Sequence, residues 1–292
     1  MPVENPLEIA SRVFVTARSA RFWEYFADRR VWPETLDRYE VGWSPLWPAL
    51  SRPRSRLGGF LEAGLVEVDG ATAYPGRATF PYRREDGVCS NILMRLLDDD
   101  ESGERYRALP KRQVSWPPFN IETPVLYGHP QDRHGTEIAL VEGPVDVFRC
   151  HQVGIPALGL CGNYINPDLF VWLLSRYPRV TLMLDWEDSG LRQMFELSLL
   201  YLRVAETLVV GELYVASGSR AEWGRDPGDV AEPRLAEVFG RRQLCRDFVE
   251  SWRRKGVDPD DQRQLYLVQK MIGKYRKWKP PLTPASTGTP VS

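Results

Sequence analysis

The stretch that decides the fold runs from Thr136 to Gly190 and reads TEIALVEGPVDVFRCHQVGIPALGLCGNYINPDLFVWLLSRYPRVTLMLDWEDSG. It contains three short apolar runs, TEIALVE, PALGLC and RVTLMLD, which are separated by helical patterns over 144–152 and 167–177. A further helical pattern from Ser189 to about Glu206 leads to a fourth apolar run, TLVVGELYV. Short strands that alternate with helices predict a parallel sheet built from βαβ units.

Acidic residues follow three of these predicted strands. The first strand ends in Glu142 and Gly143 with Asp146 one helical turn further, the third ends in Asp185, Trp186, Glu187 and Asp188, and Asp226, Pro227, Gly228 and Asp229 follow the fourth. Ligands of parallel sheets bind at the carboxyl ends of the strands. Carboxylates at this density repel one another unless a cation lies among them, and oxygen ligands without His or Cys favour Mg²⁺ or Mn²⁺. The pattern predicts phosphoryl transfer assisted by two or more divalent ions.

Each acidic group taken alone also has a structural interpretation. Asp146 can complement a helix N-terminus, Asp188 can be an N-cap, and Asp226 with Pro227 can form a turn. The three groups occur in order at successive strand ends, and this conjunction favours a functional site.

The segments before and after the predicted sheet have different sequence patterns. Apolar positions between Ile9 and Arg38 recur at helical spacing, whereas the region from Leu57 to Pro118 has the Gly- and Pro-separated patches of short antiparallel strands. After Gly218 the chain is polar and then helical over roughly 232–254 and 259–277. We therefore predict an α/β protein in which the parallel sheet is flanked by helices, follows an α+β subdomain and precedes a small helical one. The predicted boundaries are 1–134, 135–218 and 219–279, with a Pro- and Thr-rich disordered tail at 280–292.

Charge is distributed unevenly along the 292 residues. The net charge of -1 results from 38 basic and 39 acidic side chains. Residues 241–279 hold twelve Lys and Arg against five Asp and Glu, a net of +7, which leaves -8 for residues 1–240. The basic segment also contains Trp and Tyr, so it can track a nucleic-acid backbone or form a solvated helical pair, and both interpretations stay open.

Composition argues against several other classes of protein. The four cysteines form no CxxC pair, and His129, His134 and His151 lack zinc-finger spacing, so we expect no structural zinc. The most apolar stretch, about 197–215, is broken by charged residues, and the N-terminus lacks the pattern of a secretory signal. We expect a cytoplasmic protein without a membrane span, and the chain contains no P-loop motif.

The acid-rich series resembles the Toprim domain of bacterial-type primases, topoisomerases and some nucleases. The matching positions are Glu142, Gly143, Asp146, Gly154, Gly162, Asp185 and Gly190, with Glu187 where the family has a second Asp. Asp226 and Pro227 resemble the Asp-Pro-Asp metal segment, in which Gly228 replaces the second Asp and Asp229 comes one place late.

The flanking sequence is similar to the bacterial and phage primase catalytic core. The segment ARFWEYFADRRVWPETLDRYEVGWSP, the stretch LGGFLEAGLV, the Arg-x-x-Phe-Pro pattern at Arg77 and the Leu-Tyr-Gly at Leu126 carry this similarity. It spans about Phe22 to Asp229. No zinc-binding or helicase-binding domain of that family is recognisable.

The resemblance implies a DNA-directed RNA polymerase, a nucleotidyltransferase that makes short RNA primers on single-stranded DNA from ribonucleoside triphosphates. It implies catalytic roles for Glu142, Asp146, Asp185 and Glu187, and metal binding by Glu142, Asp185, Glu187, Asp226 and Asp229. Nucleotide or template contacts are expected from Arg77, Arg95, Arg105, Lys111 and Arg112. A separate zinc-binding module and a replicative helicase are the implied partners.

Two alternatives remain open. A Toprim nuclease would use the same acids to cleave a phosphodiester, although the primase-like flanks favour synthesis. A non-catalytic replication or recombination module would keep the scaffold and bind DNA without chemistry. The retention of an acid in or beside every expected metal position favours an enzyme.

Overall fold

The computed structural model describes residues 4–45, 58–97, 106–115, 118–121, 126–160, 165–217 and 226–254. The helix predicted for 259–277, the tail at 280–292, Gly162 and Arg105 lie outside these residues.

The N-terminal part is an α+β layer, as predicted. Its helices are α1 (Pro6–Thr16), α2 (Ala20–Asp28), α3 (Pro33–Arg38) and α4 (Gly58–Ala63). Its antiparallel sheet has the order β1 (Gly42–Ser44), β2 (Arg77–Arg83), β3 (Cys89–Leu96) and β4 (Tyr106–Ala108), and a hairpin joins β5 (Arg112–Ser115) to β6 (Pro118–Ile121). Pro6 and Pro33 each occupy the first helical turn, where the missing N–H costs nothing.

The second part is the predicted parallel sheet with helices on its faces. In chain order its elements are β7 (Glu137–Val141), α5 (Pro144–Gln152), β8 (Ala157–Gly159), α6 (Pro167–Arg176), β9 (Arg179–Leu182), α7 (Asp188–Ala205), β10 (Glu212–Val215), α8 (Glu232–Gly240), β11 (Gln243–Leu244) and α9 (Cys245–Arg253). The strand order is β11-β10-β9-β7-β8, and β7 to β10 are parallel. The α/β prediction is confirmed.

Two details of the prediction are wrong. The fourth strand begins at Glu212, because Leu208 and the fully exposed Val209 lie in the turn after α7, and the chain enters the sheet only beyond Gly211. A Cβ at Gly211 would contact the carbonyl oxygen of Tyr177, so the backbones meet there without a side chain between them. The helix predicted over 232–254 is two helices separated by β11, which pairs antiparallel with β10 and forms the edge of the sheet.

The two parts share one hydrophobic core. Phe26 of α2, Phe80 of β2 and Phe148 of α5 lie with ring centroids 6.2–6.4 Å apart, and Tyr39 lies 4.9 Å from Phe148. Helix α5 is buried from Pro144 to Cys150, since it lies between the parallel sheet and the N-terminal layer. A second cluster, with Phe14 of α1 among its members, covers the other face of the antiparallel sheet.

The strand order places a topological switch point beside β7. The chain moves from β7 outward to β8 and then returns to the opposite side of β7 with β9. Ligands of open α/β sheets bind outside the carboxyl ends of the strands at such a point. The carboxyl ends of β7 and β9 precede Glu142 and Asp185, which are therefore neighbours.

Candidate active site

Glu142 and Asp185 lie side by side at the switch point. The backbone N–H of Asp185 donates a hydrogen bond of 3.2 Å to Oε1 of Glu142. Both side chains are partly buried, so their carboxylates border the surface at the carboxyl edge of the sheet. The parallel pairing of β7 with β9 produces this arrangement, as the sequence predicted for strand-end acids.

Asp146 lies one turn into α5 and is buried. Its Oδ2 accepts a hydrogen bond of 2.8 Å from the N–H of Gly143, and its Oδ1 accepts one of 3.0 Å from the N–H of Gly228. The first bond caps the N-terminus of α5, which agrees with the structural interpretation of this residue. The second attaches the loop after β10 to α5. Both oxygens therefore contact backbone, and the geometry of Asp146 is that of a positioning residue.

The loop from Asp226 to Asp229 supplies the third group of acids. Oδ1 of Asp226 accepts a hydrogen bond of 2.9 Å from the N–H of Asp229, which closes the turn that Pro227 begins. A Cβ at Gly228 would lie 2.9 Å from Oδ1 of Asp146 and 3.0 Å from Oδ1 of Asp226. The absence of a side chain at Gly228 thus permits the close packing of this loop on α5.

The third strand end is shaped by a close backbone approach. Helix α7 begins at Asp188 with Glu187 in the N-cap position. A Cβ at Gly190, in the first turn of α7, would contact the carbonyl oxygen of Asp185. A glycine at this position therefore lets the helix begin directly against the backbone that carries Asp185.

Burial, together with the charges of neighbouring acids, raises the pKa values of the acids at this edge. Burial, followed by the charges of Glu142 and Asp226, raises the pKa of Asp185 to about 8. Burial also raises the pKa of Glu142 and of Asp226, and it holds the pKa of Asp146 well above its ordinary range. Strongly raised carboxyl pKa values in a cleft are typical of functional sites, and a bound cation would reverse the shift.

Basic and aromatic side chains border this edge on the N-terminal side. The buried Arg95 of β3 donates a hydrogen bond to the hydroxyl of Tyr106, and its guanidinium lies 4.9 Å from that ring and 5.4 Å from the ring of Tyr25. The Tyr106 hydroxyl would lie 3.6 Å from a Cβ at Gly143, so this pair abuts the turn after Glu142. The guanidinium of Arg29 lies 3.8 Å from the Tyr25 ring, and its charge partly offsets the burial that raises the pKa of Asp226.

The other predicted nucleotide contacts lie in the N-terminal layer. Arg77 is the first residue of β2, Lys111 is exposed before β5, and Nη1 of Arg112 donates a hydrogen bond of 3.0 Å to the carbonyl oxygen of Glu62 at the end of α4. Of the described residues in the predicted set, Arg95 is thus the one that lies against the acidic edge.

The donor set suits a hard divalent cation, since every acid offers only oxygen ligands. Across the described parts of the chain, no three His, Cys, Asp or Glu side chains converge closely enough to form a ready-made metal site. The same residues contain no helix that is long and apolar enough to cross a membrane.

Comparison with known proteins finds a related sequence. No family model matches the chain. A DNA primase of Deinococcus radiodurans is 26% identical over 270 residues, which are 84% of this chain and 44% of the relative. The chain thus spans less than half the length of that relative.

Solved structures match over nearly the whole chain. A DnaG primase catalytic domain bound to single-stranded DNA is 19% identical with a TM-score of 0.67, over 92% of this chain and 88% of the other. This chain has the fold of the bacterial DNA primase catalytic core. A primase domain from Pseudomonas aeruginosa (21% identity, TM-score 0.66, 92% and 89% coverage) has the same primase-core fold. An Aquifex aeolicus primase with zinc-binding and RNA polymerase domains also has this fold. It is 18% identical with a TM-score of 0.66, over 92% of this chain and 71% of the other.

One buried residue near the site is not predicted from the sequence. Arg149 lies in α5 with its side chain 0% exposed. A charged residue inside the apolar pattern VDVFRC already indicates a buried partner, because an isolated buried charge is very unfavourable. The sequence does not indicate which segments supply that partner.

Proposed function

We propose that this chain is a primase-type RNA polymerase that makes short RNA on single-stranded DNA by two-metal nucleotidyl transfer. The observation that carries the proposal is the position of Glu142, Asp185 and the Asp226–Asp229 loop at one edge of a sheet with the primase-core fold. The similarity to a DNA primase over 84% of the chain supports it.

Glu142, Asp185, Glu187, Asp226 and Asp229 are the proposed ligands of two or more Mg²⁺ or Mn²⁺ ions. When bound, such ions activate the attacking 3′-hydroxyl and stabilise the charge of the leaving pyrophosphate. Asp146 holds Gly143 and Gly228 by their N–H groups, and so sets where Glu142 and the Asp226 loop lie. We therefore give Asp146 a positioning role in place of the direct catalytic role that the resemblance implied.

Arg95 and Arg29 are the proposed contacts for triphosphate or template backbone near the acids. Both lie on the aromatic ring of Tyr25, which limits their freedom before substrate binds. Arginine suits this role because its guanidinium forms forked hydrogen bonds to phosphate. Arg77, Lys111 and Arg112 are proposed to contact the template farther from the reacting atoms. Arg105, which precedes Tyr106 in the chain, is also proposed to contact nucleotide or template.

The proposed substrates are a single-stranded DNA template and ribonucleoside triphosphates. A zinc-binding module and a replicative helicase are the proposed protein partners. A bacterial or phage DNA template implies that the protein works in the cytoplasm.

Incorporation of labelled ribonucleotides tests the proposal directly. The protein is incubated with single-stranded DNA, four ribonucleotides and Mg²⁺ or Mn²⁺, with and without a zinc-binding module, and the products are resolved on a denaturing gel. We expect short RNA that depends on the metal and on the template. Shortened DNA without RNA would instead identify a nuclease, and binding without either product would identify the non-catalytic module.

A further inference from the structure

Arg149 joins three segments of the chain behind the acidic edge. Its Nη1 donates hydrogen bonds to the carbonyl oxygen of Arg30 (2.6 Å) and to Oε1 of Glu232 (2.9 Å). Its Nη2 donates one of 2.8 Å to the carbonyl oxygen of Val230. Arg30 follows α2, Val230 follows the Asp226 loop, and Glu232 is the first residue of α8. A single guanidinium therefore connects these three segments to α5.

Two further contacts strengthen the same junction. Gln152, one turn further along α5, donates a hydrogen bond of 3.0 Å from Nε2 to the Arg30 carbonyl oxygen. Nη1 of Arg30 lies 3.5 Å from the carbonyl oxygen of Asp229, to which it donates. Arg30 has a positive φ of 56°, an unfavourable conformation for a non-glycine residue that must be held by its surroundings.

The placement of Arg149 is difficult to explain by stability alone. Residues 144–150 of α5 are all buried, and an apolar side chain of similar volume in place of a buried ion pair is often neutral or stabilising. An apolar residue cannot, however, hold the Val230 carbonyl oxygen. The residues between Asp226 and Val230 belong to no helix or strand, and side chains of α5 hold this loop against the helix.

The loop therefore has two anchors on α5. Asp146 accepts a hydrogen bond from the N–H of Gly228, and Arg149 donates one to the carbonyl oxygen of Val230. Asp226 and Asp229 lie on this anchored stretch. Any change in the direction of the Val230 carbonyl moves the backbone that carries both carboxylates.

We propose that Arg149 is a positioning residue that fixes Asp226 and Asp229 for metal binding by tying their loop to the turn between α2 and α3. The inference rests on the proposed function, because it assigns a task toward that metal site. It also makes the α2–α3 turn a part of the site's support, since Arg30 supplies an acceptor to the same guanidinium.

The test compares Arg149→Lys with Arg83→Lys in the full-length chain. Lysine keeps the charge but cannot reproduce the forked contacts. Arg83 is the control because its guanidinium likewise has three partners, in its case the carboxylates of Glu8 and Glu40 and the carbonyl oxygen of Gly87, but it lies in the N-terminal layer. Glu232→Gln is a milder second variant, which removes the charge of a partner whose side chain is 32% exposed.

Two measurements separate positioning from a general loss of stability. Hydrogen exchange reports the protection of residues 226–231 without metal, and the electron paramagnetic resonance signal of free Mn²⁺ reports metal affinity without turnover. We expect faster exchange in this loop for Arg149→Lys and a smaller effect of the same kind for Glu232→Gln. Mn²⁺ binding by Arg149→Lys should weaken about 10-fold or more, as is typical when a residue supporting metal ligands is changed. Arg83→Lys should leave both measurements unchanged.

Equal loop exchange and equal Mn²⁺ affinity in the Arg149→Lys and Arg83→Lys proteins would overturn the inference. If Arg149→Lys does not fold, the same two readouts on Glu232→Gln decide. RNA synthesis by the wild-type protein is measured in parallel. Its absence together with the expected loop and Mn²⁺ effects would refute the proposed function and leave the positioning role of Arg149 in place.

Discussion

Asp146 and Asp185 are both predicted acids of the site, yet their oxygens have different surroundings. Both oxygens of Asp146 accept backbone N–H groups, whereas Asp185 lies partly exposed beside Glu142. The sequence places both residues correctly at strand ends, because the alternation of strands and helices determines which edge they share. It cannot distinguish their roles, since the partner of Asp146, Gly228, lies 82 residues further along the chain.

The raised pKa of Asp185 predicts a stability that falls as the pH rises. Folding raises the pKa of this carboxyl to about 8, so between about pH 4 and pH 8 the folded state holds a proton that the unfolded state has lost. The stabilising contribution is complete below about pH 4 and is lost as the pH rises through 8. Without metal, Asp185→Asn should therefore melt at a higher temperature than wild type at pH 8.5, and the difference should be much smaller at pH 5.

Differential scanning calorimetry in EDTA measures both melting temperatures. Added Mn²⁺ should raise the melting temperature of the wild type and leave that of Asp185→Asn nearly unchanged. A variant that is less stable than wild type at pH 8.5 without metal would contradict the raised pKa of Asp185, which results from burial and from the charges of its acidic neighbours.

At the scale of elements, close approaches between backbones shape the site. Gly190 brings the first turn of α7 against Asp185, and Gly228 brings the loop against Asp146. The sequence indicates a turn after the third strand but not the contact itself. The two errors in the predicted fold have related causes. Leu208 and Val209 are apolar but exposed, so their pattern wrongly predicts a strand. Strand β11 has only two residues and is defined by its pairing with β10, which lies outside the local sequence.

Gly190→Ala should disturb the site through α7. The new methyl group would contact the Asp185 carbonyl oxygen, so either the helix or the strand end must move. Forced overpacking of this kind costs about 1–3 kcal/mol of unfolding free energy. Gly240→Ala, at the last residue of α8, is the control: apart from its chain neighbours and the backbone of its own helix, no described atom lies within 4 Å of the added Cβ.

Urea unfolding measures both free energies, and Mn²⁺ titration shows whether the site has moved. Gly240→Ala should be neutral or slightly stabilising. If Gly190→Ala had wild-type stability and Mn²⁺ affinity, the close contact would be irrelevant to the site.

At the scale of the whole molecule, one core joins the two layers. The rings of Phe26, Phe80 and Phe148 come from an N-terminal helix, the antiparallel sheet and the helix that carries Asp146. The sequence predicts both layers and their order. It does not predict their junction, because Arg149 and Arg30 are 119 residues apart and buried polar partners at such distances leave no local pattern.

The C-terminal segment has a structural part and a part to be tested for DNA binding. Residues 241–254 contain β11 and α9, which belong to the sheet and its packing, so a deletion test should keep them. Residues 255–292 lie outside the described chain and hold seven Lys and Arg against three Asp. Their deletion should weaken the salt dependence of single-stranded DNA binding, since each lost phosphate contact removes about 0.7 from the slope of log K against log salt.

Fluorescence anisotropy with labelled DNA at several salt concentrations measures that slope. A slope equal to that of the full-length protein would mean that this segment makes no phosphate contacts. The binding surface would then lie on the folded body.

We propose that the acids at the carboxyl edge of the parallel sheet carry out RNA synthesis. The most direct test of this proposal compares Asp185→Asn with Asp247→Asn in template-dependent ribonucleotide incorporation. Asp247 is an exposed control in α9, the helix that follows β11. We predict that Asp185→Asn binds single-stranded DNA like the wild type but makes no RNA, whereas Asp247→Asn retains synthesis. Continued RNA synthesis by Asp185→Asn would contradict the account.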